Sequence, residues 1–364
     1  MICENNFHNI SNFVKYVEKH ENDFINKKFI ISSVYYELTR AMRCAKIIKN
    51  ENGEKIMSLT KEQILSVKGL GFLRNRGTDC FSGRLVSKGG VYTSDDLKVI
   101  AEIAEHFGSG KVGFTSRLSA EISGIPFDKI GEAIAYAENR GLSFGGTGAK
   151  IRPITACKGT TCVYGNIDTQ ALAAKIHNDY YIGWSAVKLP HKFKIGVGGC
   201  PNSCMKPSLN DFGIEGHKVP VLNEELCRGC ASCAVERACP SCAVSITDGK
   251  AKIGVECLTC GVCLGKCPFG AFANESEAVY KIYVGGTWGK KTRMGTALSR
   301  FFTEDEIFPV LEKTMLWYKE NAYEKERLGA AIDRIGVAEL ETAIESDDLL
   351  LRKNEIIQSP IKTK

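Results

Sequence analysis

Cys157-Lys158-Gly159-Thr160-Thr161-Cys162, followed by Gly198-Gly199-Cys200-Pro201-Asn202-Ser203-Cys204, is the stretch that decides the reading of this chain. Two pairs with Cys-x4-Cys and Cys-x3-Cys spacing can deliver four thiolates to one cubane, and the glycines beside them let backbone approach inorganic sulfur closely. Downstream, Cys227-x2-Cys230-x2-Cys233 and Cys257-x2-Cys260-x2-Cys263-x3-Cys267-Pro268 form an internal repeat. Repeats of Cys-x2-Cys-x2-Cys favour iron–sulfur over zinc, which usually takes its ligands as two separated pairs.

Composition sets the frame for these motifs. The 364 residues are 44% hydrophobic and 25% charged, enough for two or three domains and too ordinary for extensive disorder. Sixteen cysteines would suit a secreted disulfide scaffold, but the N-terminus MICENNFHNISNFVKYVEKH has no apolar run long enough for a signal peptide or a membrane span. A reducing cytoplasm is the expectation, with the clustered cysteines as metal ligands. The net charge of +6 is not gathered into a basic run, so no nucleic-acid partner is expected. A mildly basic surface suits an acidic electron donor such as ferredoxin.

Along the chain, residues 1–60 carry helical periodicity at Ile10, Phe13, Val14 and Val17 and again at Val34, Tyr35, Leu38 and Met42, and read as a helical N-terminal extension. Residues 61–150 read as an α+β unit: a helix from Ser94, a strand over Lys111–Arg117 and a helix over Asp128–Glu138. Gly141–Gly148 connects to the first cysteine pair, and a helix starts at Asp168 and runs to about His177. Composition breaks near Pro220, and residues 220–275 look like an inserted domain. A strand over Val279–Val284 and helices rich in Glu and Leu follow, so 151–219 and 276–364 are expected to form one interrupted domain.

The two cysteine pairs resemble the siroheme and 4Fe-4S motif of sulfite and nitrite reductases, and the resemblance extends over about residues 65–330. It is nearest to anaerobic and dissimilatory-type subunits, which also carry an inserted ferredoxin domain. The implied fold is α+β: a nitrite/sulfite reductase ferredoxin-like half-domain plus a siroheme and 4Fe-4S domain, interrupted by a bacterial-type 2[4Fe-4S] ferredoxin. The implied cofactors are siroheme and three [4Fe-4S] clusters. One cluster would use Cys157, Cys162, Cys200 and Cys204, with the Cys204 sulfur also bridging to the siroheme iron. In the inserted segment the crossed ligation of two-cluster ferredoxins groups Cys227, Cys230, Cys233 and Cys267, and groups Cys239, Cys257, Cys260 and Cys263. Cys233 and Cys239 are separated by five intervening residues where the usual run has three, and Cys242 offers a competing thiol; Cys239 is preferred because Pro240 follows it. Cys3, Cys44 and Cys80 read as isolated thiols.

Sulfite and nitrite are anions, so the substrate side needs cations: Arg as a fixed fork of donors, Lys as a compact charge able to deliver protons. The family's two arginines and two lysines correspond to Arg117 in Gly113-Phe-Thr-Ser-Arg117, Arg152, and Lys192 and Lys194 in Leu189-Pro-His-Lys-Phe-Lys194, expected on a strand. His191 reads as a neighbour without a catalytic part. Siroheme's carboxylates call for further cations, for which Arg74, Arg76, Arg84, Lys290, Lys291 and Arg293 are candidates beside glycine turns. The resemblance implies six-electron reduction of sulfite to sulfide, fed by an external donor such as ferredoxin or a reductase subunit. Reduction of nitrite to ammonia and an electron-transfer subunit lacking siroheme are the alternatives, and a homo-oligomer or a multisubunit complex are both open. No membrane partner is expected.

Overall fold

The computed structural model of the protein describes residues 46–49 and 55–364. Most of the expected helical extension therefore lies outside the described residues, as do Cys3 and Cys44. Within the 1–60 region, β1 (Lys46–Lys49) and β2 (Lys55–Ser58) pair as an antiparallel hairpin where helix was expected.

Local signals start the next elements. The Thr60 hydroxyl accepts from the Gln63 amide at 3.2 Å while Gln63 Oε1 accepts from the Thr60 amide at 2.8 Å, a reciprocal cap that opens the helix Lys61–Lys68. Thr93 and Asp96 do the same for Ser94–Phe107. β3 (Phe72–Arg74), β4 (Cys80–Leu85), β5 (Val112–Phe114) and β6 (Ala120–Pro126) form an antiparallel sheet in the order β3-β4-β6-β5. Its inner face buries Phe72, Phe81, Ile122 and Ile125 against Ile100 and Ile103 of Ser94–Phe107 and Ile130 of the helix Ile130–Glu138. At about 1.5–3 kcal/mol for each fully buried large apolar side chain, these contacts suffice to fix the register. The strand expected over 111–117 stops at Phe114. Thr115 and Ser119 close a turn, with Leu118 at φ +58, and Arg117 lies in it.

β7 (Thr155–Ala156), β8 (Ile195–Gly198) and β9 (Phe212–Lys218) run parallel. The β7–β8 crossover holds the helix Thr169–Ile176, opened by the Asp168 carboxylate accepting from the Ala171 amide at 2.9 Å and continued as a π-helical turn over His177–Ile182. After β9 the chain leaves the sheet and forms a small body of its own. That body has a helix, Ala234–Ala238, and a hairpin of β10 (Val244–Thr247) and β11 (Lys250–Ile253) around a core of Val235, Val244, Ala251 and Phe272. The chain returns as β12 (Ala278–Val284), antiparallel to β9 from Ala278 opposite Lys218 to Val284 opposite Phe212, and β13 (Thr296–Ala297) completes the order β13-β12-β9-β8-β7. The helix Glu304–Asn321 presses Leu311, Met315 and Tyr318 into a core shared with Phe193, Ile195, Phe212 and Ile282. Among the described residues no helix is long and apolar enough to cross a membrane.

Candidate redox and anion site

The site is organised by the parallel pair β7 and β8. Arg152 donates its amide to the Phe193 carbonyl at 2.8 Å, and Cys157 donates its amide to the Val197 carbonyl at 3.1 Å. Cations and thiols therefore collect at opposite ends of the same two strands. The intervening residues 195–198 span roughly 13 Å at about 3.3 Å per residue.

At the thiol end, two cysteine loops meet glycine to glycine. A Cβ on Gly199 would stand 2.9 Å from Gly159 Cα and 3.4 Å from Cys157 Sγ, so only glycine allows this approach. The Gly199 amide donates to Cys157 Sγ at 3.2 Å, and the Cys157 carbonyl is held by Thr169 Oγ1 and Gln170 Nε2. Cys200 is buried, and its thiol is pushed up first by that burial and then by Cys157, Cys162 and Cys204, against the Asn202 amide. The four thiols thus share one electrostatic environment.

The small body carries the other two sets. Burial pushes up the Cys263 thiol, and Cys260, Cys257 and Cys239 push the same way. Those four cysteines line one cavity with Pro220 and Pro240. Burial raises the Cys239 thiol too, but Ser241 and the amides of Ala243, Ser241 and Val244 outweigh it and leave the group below the ordinary thiol range. Cys242 is exposed at φ +53 and stands outside that cavity. Cys227, Cys233 and Cys267 pack against the small core, with the Ala251 amide on Cys227 Sγ at 3.2 Å. Four successive backbone amides from Phe269 to Phe272 favour the Cys267 thiolate over the cost of its burial. Among the described residues no three His, Cys, Asp or Glu side chains converge closely enough for a single ion. If this set holds the cluster that the resemblance implies, Cys239→Ala costs one cluster's complement of iron while Cys242→Ala costs none. Iron and acid-labile sulfide counts decide this, and the reverse pattern would exchange the two assignments.

At the other end, burial and then Arg117, Arg327 and Lys192 lower Lys194 to about 8, with Asp211 opposing. Lys192 is lowered in the same way by burial, Arg327 and Arg152. Neither ammonium has a hydrogen-bond or ion-pair partner among the described residues. Both lysines precede β8 instead of lying within it, although Phe193 between them is fully buried and holds the alternation. Arg152 gives its terminal nitrogens to the carbonyls of Gly146 and Gly148, keeps a buried Nε without a partner, and is lowered to about 10 by burial and by Arg84. Buried Ser87 Oγ and His177 Nδ1 are likewise without partners.

Arg117 belongs to this field but is fully engaged in scaffolding. Its guanidinium donates to the carbonyls of Pro153 and Ile195 and to Asn210 Oδ1, and burial lowers it to about 10. Arg84 pairs with Glu121 at 2.5 Å, Arg74 with Asp79 at 2.6 Å, and Arg293 with Asp333 at 2.7 Å, while Arg76, Lys290 and Lys291 are exposed. His191, lowered to about 4 by burial and then by Arg327, Lys192 and Arg152, is a neutral member of the same neighbourhood.

Two residues absent from the sequence expectation complete it. Asp211, with no exposed surface, accepts from Arg327 Nη2 through Oδ2 at 2.7 Å and Oδ1 at 2.8 Å, from Arg327 Nε at 3.1 Å, and from the Lys194 amide at 2.8 Å. Burial lifts the Asp211 carboxyl above its ordinary range against the pull of Arg327. The pair lies 116 positions apart, and no local motif marks either member.

A family profile described as the nitrite and sulphite reductase 4Fe-4S domain matches residues 147–349, and one described as the nitrite/sulfite reductase ferredoxin-like half domain matches 74–139. The chain belongs to the nitrite and sulfite reductase family, a family of oxidoreductases. It is 32% identical over 68% of its length to a coenzyme F420-dependent sulfite reductase of Methanocaldococcus jannaschii, of which it spans 39%. It is 30% identical over 70% of its length to an anaerobic sulfite reductase subunit of Salmonella typhimurium, covering 77% of that protein. The fold is similar to that of a dissimilatory sulfite reductase I, with a TM-score of 0.60 at 23% identity over 73% of this chain and 69% of the other.

Proposed function

We propose that this chain is the siroheme- and iron–sulfur-carrying unit of a sulfite reductase, converting sulfite to sulfide with six electrons. The observation that carries this reading is the polarity of β7 and β8, with the unpartnered ammonium groups of Lys192 and Lys194 at one end and the two cysteine loops at the other. Cys157, Cys162, Cys200 and Cys204 fit a cluster, because four thiolates gathered on two facing loops, one of them buried, need compensating positive charge. The orphaned Arg152 Nε, His177 Nδ1 and Ser87 Oγ fit a macrocycle rich in carboxylates. Bound there, siroheme and its cluster would supply electrons one at a time to the substrate.

The chain's own residues would do the rest. Lys192, Lys194 and Arg152 draw the anion into a water-poor site, and Arg327, held in place by Asp211, extends the same field. Each sulfite takes up six electrons and six protons as its three oxygens leave as water. Lys194, at about 8, is still mostly protonated at pH 7 yet able to release a proton, which suits it to delivery. The inserted segment, with eight of its nine cysteines as ligands, would carry two further clusters, passing electrons inward from an external donor. Sulfite is placed ahead of nitrite because two relatives at 32% and 30% identity are named sulfite reductases, whereas a nitrite reductase of Bacillus subtilis is 21% identical.

The test is an absorption spectrum of anaerobically purified protein, followed by turnover with reduced methyl viologen and either anion. Siroheme bands with preferred sulfite turnover are expected, and nitrite preference or absence of siroheme overturns the reading. Lys194→Met is expected to lower sulfite turnover about 100- to 1000-fold, the usual cost of one preorganised charge contact. In the unsubstituted protein activity falls as pH rises through about 8, and that limb disappears in the variant.

A further inference from the structure

We propose that Asn166 is the link through which electrons pass from the inserted segment to the centre at Cys200, and that the exit cluster is the one held by Cys239, Cys257, Cys260 and Cys263. The inference rests on the reading above, in which these cysteine sets carry clusters. Asn166 lies four residues after Cys162 and touches both bodies. Its amide donates to the Gly199 carbonyl at 2.8 Å, and that carbonyl carbon is bonded directly to the Cys200 nitrogen. Its side-chain Nδ2 donates at 3.3 Å to the Cys260 carbonyl and at 3.3 Å to the Gly216 carbonyl on β9. Two hydrogen bonds and one asparagine thus join Cys260 to Cys200 without a gap through space.

The surrounding contacts hold that junction closed. The Lys218 amide donates to the Thr259 carbonyl at 2.8 Å, and Lys218 and Cys260 bridge in parallel fashion. His217, buried on β9, stands 2.6 Å from Thr259 Oγ1 through Nδ1 and 3.1 Å from Glu215 Oε1 through Nε2, and Tyr283 donates to the same carboxylate oxygen at 3.2 Å. Gly261, at φ +77, passes so close that a Cβ would meet Asn166 Oδ1 at 3.2 Å and Lys218 Cβ at 3.1 Å. No residue of the Cys227, Cys230, Cys233 and Cys267 set takes part in these contacts, which makes that set the distal one. In each passage the exit cluster is oxidised by one electron and the centre at Cys200 is reduced by one, six times per sulfite, with an external one-electron reductant restoring the distal cluster.

Asn166→Ala removes the carboxamide, and Asn166→Asp keeps its volume but not its donor. Reduced anaerobically with dithionite in a stopped-flow instrument, both variants are expected to reduce the inserted clusters at the unsubstituted rate. Siroheme reduction should lag by about tenfold, at the lower end of what outer-shell partners of metal ligands cost. An unchanged lag in both overturns the link. Should either variant lose iron, the unsubstituted protein still decides the matter. In its fully reduced EPR spectrum the centre at Cys200 should be spin-coupled to one inserted cluster, and Cys230→Ser should leave that coupling in place; loss of the coupling would reverse the order. Iron and sulfide counts separate this proposal from the functional reading: fewer than three clusters in the unsubstituted protein defeats that reading, whereas three clusters with no lag defeats the link alone.

Discussion

Cys204→Ser is expected to abolish sulfite turnover while the inserted clusters persist. Cys204 is exposed at the rim of the thiol set, on a loop that turns through Ser203 at φ +52, and it shares its electrostatic environment with Cys157, Cys162 and Cys200. On the proposed reading Cys204 would be one of the four residues that hold the cluster, so a serine there would remove a ligand and with it the electron supply to the substrate. The small body has its own core and its own cysteines, and nothing in its packing depends on Cys204. Loss of a metal ligand is itself among the changes that destabilise a fold, so a thermal melt of the variant separates lost activity from unfolding. EPR of the reduced variant should retain the inserted-cluster signals. Unchanged siroheme bands and turnover would remove Cys204 from the centre.

Asp211→Ala should have the largest effect on the fold itself. This carboxylate has no exposed surface, and its removal strands Arg327 and leaves the Lys194 amide without an acceptor. Breaking a buried pair from one side typically costs about 3–5 kcal/mol. At roughly 2–4 °C per kcal/mol, thermal unfolding should begin on the order of 10 °C earlier. Asp211→Ala combined with Arg327→Leu should recover much of that loss, because no unpaired charge then stays buried, yet sulfite binding should remain weak without Arg327. Circular dichroism melts and the sulfite KM separate the two effects. A single variant melting within about 1 kcal/mol of the parent would mean the pair contributes little to stability.

The contrast between these two sites explains what the sequence made legible. Thiols fall in short, fixed spacings because a cluster draws ligands from one or two loops, and the capping residues Thr93 and Asp168 mark helix starts for an equally local reason. Arg117 was legible as an anion-site cation, but its partners at Pro153, Ile195 and Asn210 were not, since the tertiary fold supplies them. The same holds for Arg293, whose carboxylate partner Asp333 stands 40 positions away. Asp211 and Arg327 left no local trace at all. The strand expected at Lys192 and Lys194 begins later, at Ile195, where pairing with both β7 and β9 becomes available.

The inserted body leaves and re-enters the sheet at Lys218 and Ala278, which face each other across the β9–β12 ladder. Topologically it is therefore the loop of a β-hairpin, grown to about sixty residues. Closing such a loop costs about 0.6 kcal/mol for each doubling of its length, or roughly 3 kcal/mol more than a two-residue turn would. The charge falls on maturation: β12 can settle on β9 cheaply only after the insert has become compact, and metal binding is what makes small cysteine-rich bodies compact. On the proposed reading, in which the insert holds clusters, protein made without iron would then have an unfinished central sheet as well as a broken electron path.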